Sequence, residues 1–231
     1  MRIDVWSDVV CPWCYIGKRH LEEALEGFEH SDDVEIVYHS FELDPTAPEV
    51  PVESTVEALS KKFGASLEQT REMMKQVSVP AAAAGLEFDY EDTPHARTID
   101  AHRLLHLAKA EGKQAALKEE LLAAYFTRGE SMGDHAVLKR AAVKVGLDGA
   151  RVDEVLASEE FSGDVQADID QARAYGATGV PFFVVEEKYG VSGAQPTEVF
   201  SQLLERVHAE TRPALTIVGD GDACGPDGCA I

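Results

Sequence analysis

The sequence is poor in cysteine, in basic residues and in long apolar runs. It has only four cysteines among 231 residues, and none of them lies between positions 14 and 224. So few cysteines exclude a small scaffold held together by disulfide bonds. The 21 basic residues face 42 acidic ones, which gives a formal net charge of −21. Because such a chain repels phosphate groups, we expect neither nucleic acid nor an anionic membrane among its partners.

The apolar runs Leu121–Phe126 and Val180–Val185 are far too short to cross a bilayer, which takes about 20 residues. Asp4 and Asp8 interrupt the apolar residues near the N-terminus, so we expect no secretory signal and a cytoplasmic location. In that reducing compartment, paired cysteines are more often catalytic or metal-binding than structural.

The pattern of apolar residues predicts a mixed sheet interrupted by helices. Residues alternate in polarity over Arg2–Ser7, follow a helical spacing from Leu21 to Phe28, and are β-branched within Val34–Phe41. This order is a βαβ unit. From about 53 to 160 the spacing is helical and rich in alanine. Strands return at Pro181–Val185 and Tyr189–Val191, followed by a last helix.

The first cysteine pair lies between a predicted strand and a predicted helix, in the segment Cys11-Pro12-Trp13-Cys14. The first turn of a helix has unpaired N–H groups and a positive dipole end, and both stabilise a thiolate. A Cys-X-X-Cys context also lowers the pKa of its first thiol. The second thiol lies one turn further on, close enough to resolve a mixed disulfide. The spacing therefore indicates a redox dithiol.

Two alternatives remain open for these cysteines. In the first, both are buried structural residues. In the second, they join Cys224 and Cys229 as the four ligands of a zinc ion.

Further segments resemble one family. The residues of Ser7–Arg19, around the CPWC motif, and of Gly176–Phe183, with its Gly-Val-Pro, resemble the DsbA-type branch of the thioredoxin superfamily, and within it the FrnE-like oxidoreductases. Phe41–Pro45 and Ala101–Leu104 look like further landmarks of that branch. The resemblance covers residues 2 to about 212.

The resemblance implies an α/β thioredoxin fold with a large inserted all-helical domain. We expect a discontinuous thioredoxin-like domain over 1–50 and 162–215, a helical insertion over 51–161, and a flexible tail over 216–231. The family also implies a cis bond between Val180 and Pro181 that faces the cysteines. With Trp13, these two residues are expected to bind the substrate chain.

The sequence also leads to expectations for several polar residues. Many thioredoxin-fold proteins place a buried acid in the first strand, and this sequence has no clear match for it. Asp8 is expected to be an exposed cap, with proton acceptance from Cys14 as the alternative. Lys18 and Arg19 are expected to be solvated. His102 and His106 have the i, i+4 spacing of zinc ligands but are interpreted as a partly buried structural pair.

The second cysteine pair, Cys224 and Cys229, brackets the turn sequence Gly-Pro-Asp-Gly. Some FrnE-like proteins carry a C-terminal pair of this spacing. The hypothesis is a redox relay in which this pair exchanges its disulfide with Cys11 and Cys14. The alternative is a structural clip without a catalytic part.

Together these observations predict a thiol–disulfide oxidoreductase and disulfide isomerase. Cys11 is the expected nucleophile and Cys14 the resolving thiol. The expected partners are disulfide-containing or unfolded proteins, and a low-molecular-weight thiol or thioredoxin-type reductant. No cofactor and no metal are expected. The alternatives are a glutathione-dependent isomerase of the 2-hydroxychromene-2-carboxylate type, whose family members carry Ser at the first active-site position, and a zinc-binding or holdase module.

Overall fold

The computed structural model of the protein describes residues 1–211. The predicted tail over 216–231, with Cys224 and Cys229, therefore lies outside the described residues. Within the described part, the chain forms one sheet and two sets of helices around it.

Four strands form the sheet in the order β2-β1-β3-β4. They are β1 Arg2–Ser7, β2 Glu35–Ser40, β3 Phe182–Val185 and β4 Tyr189–Ser192. β1 pairs in parallel with β2 and antiparallel with β3, which pairs antiparallel with β4. The predicted βαβ unit is confirmed, because helix α1, Pro12–Glu26, connects β1 to β2. β1 is central, which explains why five of its six residues are buried.

The remaining described helices fall into two groups. α8, Ser162–Ala174, and α9, Thr197–Thr211, flank β3 and β4 in the chain. Six helices occupy the stretch predicted to be helical: α2 Thr55–Phe63, α3 Leu67–Ala83, α4 Ile99–Ala110, α5 Gln114–Phe126, α6 His135–Lys144 and α7 Gly149–Leu156. The α/β fold with a helical insertion is thus confirmed, whereas the domain boundaries at 50, 161 and 215 stay a prediction.

The two faces of β1 have different partners because its side chains alternate. Ile3 and Val5 pack in one apolar cluster with Leu21 of α1 and Phe200 of α9. Trp6 faces the other way, and its indole Nε1 donates to the backbone carbonyl of Asp168 in α8 at 2.8 Å. The sheet is therefore covered on both faces, as a central strand without solvent contact requires.

A buried polar network ties β1, β2 and α8 together. His39 lies between two carboxylates, with Nε2 at 2.7 Å from Asp4 and Nδ1 at 2.7 Å from Asp168. His39 thus bridges the two carboxylates, with one ring nitrogen against each. His106 adds a contact of 3.1 Å to Asp168. Although burial opposes ionisation, the hydrogen bonds from His106 and His39 hold the pKa of Asp168 well below its usual value.

Helix α5 fastens the helical block to the sheet and to α1. The side chain of Gln114 accepts a hydrogen bond from the Tyr38 N–H at 3.0 Å and donates one to the Tyr38 carbonyl at 2.8 Å. It thus pairs with the backbone at the edge of β2 as a neighbouring strand would. Glu119 binds Lys18 at 2.6 Å and also Arg19. The expectation that Lys18 and Arg19 are solvated was wrong, since Lys18 is buried and both bind this carboxylate.

We predict that Asp168→Asn lowers the free energy of unfolding at pH 7 by about 3 kcal/mol, because it removes the buried carboxylate that contacts both His39 and His106. The depressed pKa of Asp168 means that its stabilisation is present above the ordinary value of 3.8 and is lost as the pH falls below it. The difference between variant and wild type should therefore shrink below about pH 4. Urea unfolding across pH measures this.

The matched control is Asp170→Asn on the same helix, where an exposed carboxylate pairs with Arg173 at the surface. Its effect should stay within about 0.5 kcal/mol. Equal stability of Asp168→Asn and the control would contradict the prediction.

Candidate active site

The cysteine pair lies where β1 runs into α1. Cys11 is the N-cap residue and Pro12 takes the first helical position, which needs no N–H donor. The Cys14 N–H donates to the Cys11 carbonyl at 3.0 Å, so the two cysteines share the first turn. Both are free thiols and both are buried. The local geometry is the one that the strand, proline and helix pattern predicts.

The Val180–Pro181 bond is cis, as the family resemblance implied. This bond immediately precedes β3. Because β3 pairs with β1, and β1 leads into the cysteine segment, the bond lies beside the cysteines. The Cys11 Sγ lies 3.5 Å from the Val180 carbonyl oxygen. Gly17 permits this approach, because a Cβ there would lie 3.2 Å from Cγ of Pro181 and 3.3 Å from Ala194.

The two thiols have different surroundings. Both side chains are buried, but Cys11 lines a groove and Cys14 does not. Burial, together with the neighbouring Cys11, raises the pKa of Cys14 well above its usual value. These surroundings thus favour the protonated form of Cys14.

Asp8 is not the exposed cap expected from the sequence, because it is 1% exposed. Its carboxylate accepts from the Leu43 N–H at 2.8 Å and lies 3.2 Å from Nε2 of His102. Burial alone would raise the pKa of Asp8, but these two contacts hold it below its usual value. The expectation was wrong because the covering groups come from distant parts of the chain.

Two further polar residues at this site were missed or misjudged from the sequence. His102 is fully buried beside Asp8 while His106 binds Asp168, so they belong to two networks rather than to one structural pair. Lys118 of α5 was missed, although a cation spaced with Leu121, Leu122 and Tyr125 on a buried helix face was the available signal. Its Nζ lies 3.4 Å from the Ser7 carbonyl.

A groove of about 620 Å³ runs from Cys11 to the helical insertion. Its walls are mostly apolar, and they include Trp13, Leu59, Phe63, Met73, Met74 and Val77. Trp13 is 43% exposed at its mouth. The volume lies in the range of small-molecule and side-chain pockets. The structure therefore brings Cys11, Trp13 and Val180 to one opening, with Pro181 behind it.

The family model described as the DSBA-like thioredoxin domain matches residues 2–205. The chain belongs to the DSBA-like thioredoxin domain family. The expected thioredoxin fold and DsbA-type relationship are thus confirmed.

Individual relatives agree with this family. An uncharacterised protein of Bacillus subtilis, YwbO, is 31% identical over 210 residues, which are 88% of this chain and 96% of YwbO. A crystal structure described as a probable DsbA oxidoreductase of Streptomyces coelicolor is 45% identical, with a TM-score of 0.87, covering 100% of this chain and 99% of that one. The cytosolic disulfide reductase DsbM of Pseudomonas aeruginosa, solved with GSH, shares the fold at 16% identity, with a TM-score of 0.64 and coverage of 90% and 100%.

Two features are absent from the described residues. Over residues 1–211, no helix is long and apolar enough to span a membrane. Over the same residues, no group of three or more His, Cys, Asp or Glu side chains is arranged to hold a metal ion. The alternative of a zinc site with four cysteine ligands stays untested, because Cys224 and Cys229 lie outside these residues.

We predict that Gly17→Ala lowers disulfide-exchange activity by several-fold, because its Cβ pushes on Pro181 beside Cys11. Turnover with a dithiol reductant and a disulfide substrate measures the effect. Gly27→Ala, at the other end of α1, is the control, since its Cβ would meet no atom closer than 3.8 Å. Full activity in Gly17→Ala would show that the close packing against Pro181 has no part in the reaction.

Proposed function

We propose that the protein is a thiol–disulfide oxidoreductase and disulfide isomerase that acts on protein disulfides. The observation that carries the proposal is the arrangement of its two free thiols. Cys11 opens into an apolar groove beside the Val180 carbonyl, and Cys14 lies behind it in the same helical turn. The family indicates thiol–disulfide chemistry, and the positions of the two thiols indicate which of them attacks first.

Cys11 attacks first because it is the thiol that a substrate in the groove can reach. Its thiolate forms a bond to one sulfur of the substrate disulfide, and the bond between the two substrate sulfurs breaks. The departing substrate thiolate takes a proton from water. Cys11 is the N-cap of α1, and the unpaired N–H groups and positive dipole end of a helix favour an anion at such a position.

Cys14 then resolves the mixed disulfide. It loses its proton and attacks the Cys11 Sγ, which breaks the bond to the substrate and forms the Cys11–Cys14 disulfide. The substrate leaves as a second thiolate and is protonated by water. If instead a thiol of the substrate attacks the mixed disulfide, the substrate is rearranged with no net oxidation, which is isomerisation.

The substrate is an unfolded or wrongly oxidised protein whose apolar side chains enter the groove. Trp13 and the groove walls on α2 and α3 offer these side chains apolar surface. Burying such surface contributes about 25 cal/mol per Å² of apolar area to the free energy of binding. Val180 and Pro181 are the proposed contacts for the substrate backbone, in the manner of an added strand.

A low-molecular-weight thiol or a thioredoxin-type reductant returns the Cys11–Cys14 disulfide to the dithiol. Two thiols supply the two electrons, and they leave as a disulfide. DsbM, solved with GSH, shares this fold and makes glutathione a reasonable thiol to test first. We propose the cytoplasm as the site of action, where such thiols are abundant.

The proposal is tested by insulin reduction and by refolding of scrambled ribonuclease. We predict that Cys11→Ser reduces both activities to the rate without protein, because a hydroxyl does not attack disulfides at neutral pH. Activity that survives Cys11→Ser would contradict the proposal. The matched control is Ser201→Ala on α9, a surface change that adds no thiol.

The two alternative functions have their own outcomes in this experiment. An isomerase of the 2-hydroxychromene-2-carboxylate type would tolerate Ser at position 11 and act on the small molecule with glutathione. A zinc-binding module would carry one zinc per chain that is lost on alkylation of the cysteines. Metal analysis and the small-molecule assay separate both from the proposed exchange.

We also propose that the protein is FrnE-like and that Cys224 and Cys229 relay disulfides to and from Cys11. α9 packs along α1, and its last turn lies near Phe28, so the tail starts about one length of α1 from Cys11. Fifteen residues of α1 span about 22 Å. Residues 212–223 span up to about 40 Å when extended, so the length is sufficient.

We predict that Cys224→Ser with Cys229→Ser slows multiple turnover several-fold while the first, stoichiometric exchange at Cys11 keeps its rate. The reason is that only regeneration passes through the tail pair. Stopped-flow measurement of the first turnover and steady-state assay of the same protein check this. Unchanged multiple turnover would reduce the tail pair to a structural clip.

A further inference from the structure

His102 is a fully buried histidine whose side chain has one hydrogen-bond partner among residues 1–211. Its Nε2 lies 3.2 Å from a carboxylate oxygen of Asp8, and its Nδ1 has no hydrogen-bond partner in that part of the chain. Burying a ring with one of its nitrogens unpaired is costly, and an apolar side chain of similar size would avoid that cost. The polar character of His102 therefore serves Asp8.

The register of the sheet brings Asp8 and Leu43 together. β1 and β2 run in parallel with Ser7 opposite Ser40, so the segments that follow the two strands leave the sheet at the same edge. Asp8 is the first residue after β1, and Leu43 follows β2 by three residues. The Leu43 N–H donates to the other carboxylate oxygen of Asp8 at 2.8 Å. One carboxylate thus joins α4, through His102, to the chain that leaves β2.

Leu43 belongs to a wall of the groove that contains no helix or strand. The chain forms neither between β2 and α2, and Leu43, Asp44 and Thr46 of this stretch line the groove together with Cys11. Leu43 is 37% exposed, so a substrate in the groove can reach its side chain. A segment without backbone pairing of its own opens easily unless other bonds hold it. The bonds that hold this wall therefore decide the shape of the groove.

The pair of Asp8 and His102 holds this wall more firmly than the other polar contacts do. Two further pairs fasten the wall at 3.3–3.4 Å, each with one side chain 34% exposed: Asp44 with His95, and Glu42 with Arg97. Water screens such pairs, so each contributes little. The side chains of Asp8 and His102 are at most 1% exposed, and their contact is screened much less. This pair is therefore the anchor of the wall.

We propose that Asp8 and His102 are positioning residues that hold the Leu43 wall of the groove in place for the substrate. The inference rests on the proposed disulfide exchange at Cys11 and adds a determinant of substrate binding to it. His102 orients the carboxylate, the carboxylate fixes the Leu43 N–H, and Leu43 presents its side chain to the groove. A wall that is fixed before the substrate arrives need not be ordered on binding, which strengthens binding. No proton passes through either residue.

His102→Leu in the full chain keeps the apolar volume and removes the group that orients Asp8. We expect KM for an apolar disulfide peptide to rise about tenfold. The kcat, and the alkylation rate of Cys11 by iodoacetamide, should change by less than about twofold, since neither depends on the wall. His102→Gln keeps a side-chain N–H donor and should restore KM to within about twofold of the wild type. Equal KM values in the two variants would overturn the proposal.

Substitutions of Asp8 separate positioning from proton transfer. Asp8→Ala should raise KM about tenfold, and Asp8→Asn should recover most of the loss, because an amide keeps an acceptor for the Leu43 N–H and a donor for the His102 ring. An amide does not accept a proton as a carboxylate does. A large loss of kcat in Asp8→Asn with unchanged KM would therefore overturn the proposal. The matched control is His135→Leu, in an exposed pair with Asp100, which should leave KM unchanged.

Hydrogen exchange of the wild type decides the question even if a variant fails to fold. The Leu43 amide donates to the buried Asp8, whereas the Thr46 amide donates to the partly exposed Asp44 at 3.1 Å. We expect the protection factor of the Leu43 amide to be at least about tenfold that of the Thr46 amide. Equal protection would overturn the proposal. Absence of peptide disulfide exchange in the wild type would instead refute the proposed function.

Discussion

The docking of α5 against β2 and α1 is the contact on which the rest of the site depends. Gln114 closes the edge of the sheet by taking both backbone groups of Tyr38. One turn later, Glu119 binds Lys18 and Arg19 of the helix that carries the cysteines. Without this contact the helical block would not cover the first turn of α1, and the surroundings of Cys14 would be open to water. The inserted helices therefore form part of the site.

The charge distribution follows the same division. The excess of acidic residues sits mainly on the surface, where Glu and Asp are solvated or paired with neighbouring Lys and Arg. Two of the buried polar clusters lie beside β1. The His39 network joins β1, β2 and α8, whereas Asp8, His102 and Lys118 lie at the end of β1, next to the segment that carries the cysteines.

The sequence predicts those parts of the structure that neighbouring residues determine. The alternation in β1, the helical spacing after Cys14, and the proline between the cysteines each act over a few residues, so these elements could be located without a structure. The family resemblance extended this to the Val180–Pro181 bond. The burial of Asp8 could not be predicted, because it is produced by Leu43 and by His102, 94 residues away. The Ser7 carbonyl that Lys118 contacts is also distant in the sequence, and only the place of Lys118 on an apolar helix face indicated its burial.

The central claim is that Cys11 attacks a disulfide in the groove and that Cys14 releases the product. The most direct test is mass spectrometry of Cys14→Ser after incubation with an apolar peptide that carries a disulfide bond. The attack should still occur and the release should not, so we predict a stable mixed disulfide on Cys11. An adduct found only on Cys224 or Cys229, or no adduct on Cys11 under conditions where the wild type reduces the peptide, would contradict the account.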